Sequence, residues 1–432
     1  MVYTLVAWRP VAPLVSVPTA LTETAPRSPL LRIYPSLGVS HFRLLWLGML
    51  PSTIGWQMSV VASGYAALTL SGSATAIGLV TGATGLPVLL LSLVGGVVAD
   101  RLPRRIVLLC TQSVLGLGAA ALAVLSLLGL LEVWHLVALG LVQGAAFSFN
   151  MPARQAYIAE LVGPGLLRNA VALNNAGMNL SRITGPALAG GLLAIPAIGI
   201  GGVFVVMTAM YGIVLASLLR LPRGAPRPPG LVAGGLEQLL EGLRYVRASP
   251  VLLALMGLAL STIFFGLPYQ SLMPLFSEQV FDVGPAGLGI LVSANGAGAL
   301  IGSLGVAALS SFPRPAALQL GLGVGFGLGL ACFALAPFFA LAVVLVMIVG
   351  FTSAAYTSLN NTMIMGHTDA RLYGRVMSVY QLTFAMMPFG ALPVAWLADQ
   401  VGGRFAVAGA GLVVAAIVGG VAVLYTPYRH IR

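Results

Sequence analysis

The chain has 432 residues, 59% of them hydrophobic and only 7% charged, with a mean hydropathy of +1.00. A water-soluble chain carries about 25% charge, so the composition excludes a soluble globular domain and points to a bilayer as the solvent. The formal charge of +11 rests on 21 arginines and no lysine. Residues 1–40 contain six prolines and three arginines and read as a cytoplasmic tail. Their apolar run Leu14–Val17 is too short for a signal-peptide core, which makes the first span an uncleaved anchor.

Apolar runs then predict an all-α membrane protein of twelve transmembrane helices, over 42–70, 74–99, 105–131, 134–158, 166–194, 198–220, 250–276, 285–311, 315–336, 338–365, 372–399 and 403–426. The strand alternation of a membrane barrel is absent. Six helices fill 41–220 and six fill 250–427, with 428–432 as a short cytoplasmic C-terminus. The linker between them, 221–249, opens with Arg223 and Arg227 among prolines. Leu236, Leu239, Leu240, Leu243 and Val246 then recur at helical spacing, with Glu237, Glu241, Arg244 and Arg247 on the other side. That pattern predicts an amphipathic helix on the cytoplasmic surface.

Arginine placement sets the orientation. With the N-terminus inside, 19 of the 21 arginines fall on the cytoplasmic side, Arg404 falls outside, and Arg182 lies deep in the fifth span. Both termini are therefore expected in the cytoplasm. The basic charge becomes a topology signal, and no nucleic-acid partner is needed to explain it. Cys110 and Cys332 lie inside apolar spans, and no metal or cofactor site is expected from them.

The densest polar stretch is Gly95–Arg105, between the second and third spans. It holds Asp100, Arg101, Arg104 and Arg105 after Gly96. Part of its surroundings recurs. Gly78 and Gly85 match Gly289 and Gly296 at an offset of 211, and Gly96 matches Gly305 at an offset of 209. In the second copy Leu309 and Ser310 replace Asp100 and Arg101. Parallel repeats of this kind are a plan of secondary transporters whose halves rock about a midplane site.

Twelve spans, a long middle linker and the sequence Gly96-x-x-x-Asp100-Arg101-x-x-Arg104-Arg105 resemble the major facilitator superfamily over about residues 40–427. Pro103 stands where that family usually has glycine. Three further stretches narrow the resemblance. They are Asn150–Ala156, Arg182–Gly191 with Gly185, Pro186, Gly190 and Gly191, and Gly374–Tyr380. These resemble the bacterial exporter branch with enterobactin-type siderophore and macrolide-efflux-like proteins. The Gly-Pro stretch is similar to the antiporter packing motif, with one extra residue before Gly190.

The resemblance implies two rocking six-helix bundles and no enzyme activity. It implies a gate in which Asp100 pairs with Arg154 and faces the helix that begins at Gly374–Arg375; a carboxylate suits both partners. It implies a cavity lined from several helices, for which the candidates are Trp56, Gln57, Phe147, Asn150, Asn175, Asn179, Arg182, Tyr269, Gln270, Tyr356, Asn360, Asn361, Tyr380 and Gln381. Each of these side chains can equally serve as a hydrogen bond between helices. Arg182 either neutralises an anionic substrate or ties helices together. As a set they predict a roomy, weakly polar pocket with one positive charge, suited to a small amphiphilic organic solute.

Proton antiport is what the resemblance implies, yet no carboxylate or histidine falls in mid-span. Glycine also fills the fourth-span position, in Gly140–Gly144, where drug/proton antiporters carry arginine. Any coupling carboxylate would have to be Asp100, Glu278 or Asp282. The expected protein is a monomeric inner-membrane exporter with lipid and a small organic substrate as its partners. The alternatives on the same residues are an uptake symporter and a transport-inactive sensor.

Overall fold

The computed structural model describes residues 33–222, 235–308, 314–369 and 371–424, and every regular element among them is helical. The predicted tail, Arg223 and Arg227 of the linker, and the faded repeat at Leu309–Ser310 lie outside the described residues. So do the side chains of Leu236, Glu237 and Asp100.

Three helices come first: α1 (Ser40–Ser71), α2 (Ala74–Arg101) and α3 (Arg104–Leu127). Gly72 closes α1 in the left-handed region at φ 69°, and the Ser73 hydroxyl caps α2 by accepting from the Thr75 N–H. Pro103, in place of the family's glycine, is the N-cap of α3 with φ −56° and ψ 121°. Its fixed φ makes the turn tight without glycine.

Helical structure then runs over Val133–Leu193 for 61 residues. At 1.5 Å per residue a straight helix of that length would reach about 90 Å, some three bilayer cores. It is folded back at Gly163, whose φ of 69° and ψ of 175° are not helical. We label 133–162 α4 and 164–193 α5. The expected loop over 159–165 shrinks to one residue. Glycine supplies the positive φ, and Pro164 follows it as a helix-starting residue. α6 is Gly199–Leu219, and α7 is the amphipathic helix Gly235–Ala248.

The second half contains α8 over 250–280, α9 (Gly284–Ala308), α10 (Pro315–Ala334), α11 (Phe339–Gly366), α12 over 373–401 and α13 (Gly403–Leu424). Two of these are not the unbroken spans that their apolar runs predict. α8 is regular only over Pro250–Ser261. It then loosens into a π turn at Thr262–Gly266 and tightens into a 3-10 turn at Leu267–Gln270. Pro268 and Pro274 each remove an N–H from the ladder, which is the physical cause of the break. α12 is interrupted between Tyr373–Phe384 and Met387–Val401, just before Pro388. Counting the folded-back segment as two, the apolar stretches make twelve spans in two pseudo-symmetric bundles of six.

The packing repeats as the sequence does. α2 lies against α4 and α9 against α11; α3 pairs with α6 and α10 with α13. A Cβ at Gly144 of α4 would sit 2.0 Å from the Thr84 carbonyl oxygen of α2, and one at Gly298 of α9 would sit 1.9 Å from that of Met347 on α11. Small residues let the backbones approach where hydrocarbon offers no hydrophobic drive between helices. At Gly140 and Gly144 themselves, where the fourth-span arginine of drug/proton antiporters is missing, α2 leaves no room for a side chain.

The halves meet along α2–α12 and α5–α9. Four of the repeated glycines sit at these two seams. Gly78 and Gly85 of α2 abut Ala395 and Pro388, while Gly289 and Gly296 of α9 abut Gly190 and the Arg182 carbonyl. Gly144→Val should therefore lower the melting temperature of the purified protein by several degrees, an overpacking penalty of about 1–3 kcal/mol. Gly321→Ala, which meets nothing within 4 Å, should leave it unchanged in the same melt.

Candidate functional site: a two-arginine pocket and its gates

The ends of the molecule differ in how they are held. One end carries the α2–α3 turn, the α4–α5 fold-back and α7, and with them most of the described arginines; we call it the arginine-rich end. At the opposite end, Asp399 in the last turns of α12 caps the start of α2. It accepts hydrogen bonds from the Ala74 N–H at 2.7 Å, the Thr75 N–H at 2.9 Å and the hydroxyls of Ser73 and Thr75 at 2.6 and 2.5 Å. A carboxylate at a helix N-terminus is favoured by the unpaired N–H groups and the helix dipole. The Gln279 amide donates to the Gly72 carbonyl at 3.5 Å, and Ser293 Oγ donates to the Ile183 carbonyl at 3.2 Å. These hydrogen bonds tie the first half of the chain to the second.

At the arginine-rich end Arg104 and Arg105 hold contacts within their own half. Arg104 is buried and pairs with Glu160 of α4 at 3.6 Å. Arg105 Nη2 donates to the Leu219 carbonyl of α6 at 2.7 Å. Arg101 is exposed, and Gly96 and Gly374 have nothing within 4 Å of where a Cβ would stand. Arg375, expected as a latch partner, pairs instead with Glu241 of α7. α7 is docked there closely, with Gly242 against the Arg375 carbonyl and Val246 buried. Leu240 and Leu243 stay exposed, the uncovered apolar edge of a surface helix. Asp399 thus fastens the halves at one end, and at the other Arg375 is held by α7.

A cavity of about 200 Å³ lies inside the first half, between α1, α3, α4, α5 and α6. Five of the expected cavity residues, Trp56, Gln57, Phe147, Asn150 and Arg182, line it. Trp56 and Phe147 form an aromatic wall, with ring centroids 5.1 Å apart at 33°. Ser52, Thr53, Gln112, Ser181, Tyr211 and Arg154 line it as well. The sequence pattern does not single out those six as lining residues. Its motif places Arg154 at the gate, whereas here it faces the pocket at 4% exposure.

The uncharged polar groups on this wall are largely paired with one another across helices. Ser52 Oγ donates to Gln112 Oε1 at 2.9 Å, Thr53 and Ser181 hydroxyls are 2.8 Å apart, and Asn150 Nδ2 donates to Thr111 Oγ1 at 2.9 Å. No carboxylate among the described residues lies within ion-pair distance of Arg154 or Arg182. The Tyr211 hydroxyl is buried without a hydrogen-bond partner. The pocket therefore carries two positive charges, where one was expected.

The other expected cavity residues are placed differently. Tyr269 is buried in the second half, where Asn295 Nδ2 donates to its hydroxyl at 2.6 Å and its ring packs on Phe326 and Phe333. Asn360 is fully buried and accepts from Gln319 at 2.6 Å. Tyr356 and Tyr380 are buried, Tyr380 edge-on to Phe384. These four serve packing in this structure, which removes them from an accessible wall. Asn175, Gln270 and Gln381 are exposed, and Asn179 and Asn361 half-exposed. In the Gly-Pro stretch, Gly185 packs on Gln57 of α1 and Gly190 on Gly289, the Pro186 carbonyl faces Gly289, and Gly191 meets nothing.

Residues 33–429 match the profile of a family described as Transmembrane secretion effector. The chain is 30% identical over 370 residues to the multidrug efflux pump Tap of Mycolicibacterium fortuitum, covering 83% of this chain and 89% of that one. It is 29% identical over 347 residues to the enterobactin exporter EntS of Shigella flexneri, covering 80% and 81%. Among solved structures, an inward-facing, unoccupied bacterial homologue of the lysosomal transporter Spinster superposes with a TM-score of 0.67 at 16% identity, over 91% of this chain and 96% of that one. A mutant of the peptide transporter POT gives 0.71 at 13% identity, over 90% and 95%. At such identities these likenesses concern the fold alone.

Replacing the seal should open it. Asp399→Ala removes charge-assisted hydrogen bonds worth about 1.5–3 kcal/mol each. A cysteine placed at Ala395, which is fully buried on that seam, should then react with a membrane-impermeant maleimide about tenfold faster or more. Asp399→Asn, which keeps acceptor capacity, should fall between. An unchanged rate in Asp399→Ala would show that the seal lies elsewhere.

Proposed function

The chain belongs to the transmembrane secretion effector family of major facilitator transporters, and on that premise we propose that it exports a small amphiphilic organic solute by alternating access. The observation that carries the reading is two bundles joined along the α2–α12 and α5–α9 seams, with Asp399 fastening one end and Arg375 at the other held by Glu241 of the linker helix. The orientation belongs to the proposal. Arginine placement supports a cytoplasmic arginine-rich end, which puts the Asp399 fastening on the outer side of an inner-membrane protein with both termini in the cytoplasm; the proposed state is inward-facing. The bundles 41–220 and 250–427 rock against each other, and 221–249 travels with the second through its grip on α12. Asp100 then engages the start of α12 when the halves close on the cytoplasmic side.

The relatives' names support an efflux direction and a drug- or siderophore-sized cargo. The pocket supports the amphiphilic character: an aromatic wall from Trp56 and Phe147 beside two guanidinium groups. Proton exchange is part of the proposal, with Glu278 as its carrier. Its carboxyl lies at the sealed end beside Asp282 and the Tyr65 hydroxyl, with Oε1 buried and unpartnered, where a proton from outside arrives.

Expression in an efflux-deficient host should raise resistance to at least one compound of an antibiotic and siderophore panel, and everted vesicles should accumulate that compound. Accumulation only in right-side-out vesicles would establish uptake instead. Glu278→Gln should abolish the dependence of accumulation on an imposed pH gradient while substrate exchange at equal pH persists. Loss of both would mark Glu278 as structural.

A further inference from the structure

We infer that the first-half pocket takes the anionic head of an aromatic organic solute, held between Arg154 and Arg182; this names the cargo class of the proposed exporter and rests on that reading for its physiological meaning. The two arginines come from different helices, α4 and α5, and both line the one cavity. Arg154 is 4% exposed, so its charge is not dispersed into open solvent. A guanidinium in such a place is stable only with an opposite charge, water or a ligand beside it.

Among the described residues no carboxylate stands beside either guanidinium. The five helices that wall the cavity contain a single carboxylate, Glu160, and it pairs with Arg104 at the arginine-rich end. α2 contributes no described residue to the wall. Several uncharged polar groups already have partners: Ser52 has Gln112, Thr53 has Ser181, and Asn150 has Thr111. The unmet hydrogen-bonding capacity of the wall is therefore dominated by guanidinium N–H groups, joined by the unpartnered Tyr211 hydroxyl. Such a set matches a carboxylate or a similarly flat oxyanion, which accepts paired N–H donors from arginine.

The rest of the wall says what the anion is attached to. Trp56 and Phe147 offer flat apolar surface next to the arginines, and Leu115, Met151 and Met178 complete an apolar lining. Aromatic bodies stack on such rings and pack against methionine. The cavity, about 200 Å³, is smaller than the roughly 300–1,000 Å³ of whole-drug pockets. It accommodates one or two fused rings with their acidic group, and any further part of the molecule extends beyond it.

The test is equilibrium binding to the full-length protein in lipid nanodiscs, by calorimetry, with 2-naphthoate and its neutral isostere 2-naphthamide as probes. Wild type should prefer the naphthoate by about tenfold or more, the scale of a charge-assisted pair. Arg182→Gln and Arg154→Gln should each erase most of that preference while retaining naphthamide binding. Arg182→Lys should restore part of it, which also controls for folding. Equal affinity of wild type for the two probes, or affinity for neither, overturns the inference whatever the variants do, as does an undiminished preference in both glutamine variants. Equal affinity in a protein that still exports a panel compound would contradict this inference alone. Naphthoate preference in a protein that exports nothing would contradict the transport reading alone.

Discussion

A charge in hydrocarbon needs a counter-charge, water or a ligand, and that constraint sorts the charged residues of this molecule. Arg104 and Arg105 sit at a helix turn and are neutralised or hydrogen-bonded within their own half, by Glu160 and the Leu219 carbonyl. Asp399 sits at the other end and spends its acceptors on the start of α2. Arg375 has the Glu241 side chain. Only Arg154 and Arg182 face a common interior cavity without a protein anion among the described residues. The site is thus where the chain's own electrostatics are left incomplete.

The same economy governs the joints. Between helices in a bilayer, close approach and hydrogen bonds replace the hydrophobic drive. Glycines at 78, 85, 289 and 296 bring the halves into backbone contact along two seams. The seams are apolar and smooth, so they allow separation, and a single carboxylate with four short hydrogen bonds gives them an end that holds. A polar latch on an apolar hinge surface is a two-state element: it is made or broken, with little between.

Much of this is legible in the residues. Span number follows from apolar run length, and the internal repeat from glycines at an offset of 211, which the structure puts at equivalent seams. Leucine spacing marks the amphipathic linker helix. The breaks in α8 and α12 escape hydropathy, which is blind to a missing N–H, although Pro268, Pro274 and Pro388 are there to signal them. The site is only half legible. Trp56, Gln57, Asn150 and Arg182 share a wall, while Tyr269, Tyr356, Asn360 and Tyr380 point into packing. A polar side chain within a span must find a partner, and its identity does not say whether that partner is a neighbouring helix or a cavity. The motif around Arg154 points to the gate, and only its burial beside Arg182 reveals the second charge.

In the proposed cycle, opening the Asp399 end and closing the arginine-rich end are two faces of a single rigid-body motion. Double electron–electron resonance with spin labels at Ser71 and Gln400 reports the sealed end, and labels at Leu102 and Tyr373 report the arginine-rich end; all four residues are exposed. Adding a transported compound should lengthen the first distance and shorten the second in matched populations. Distances that lengthen together, or a second distance indifferent to the first, would contradict it.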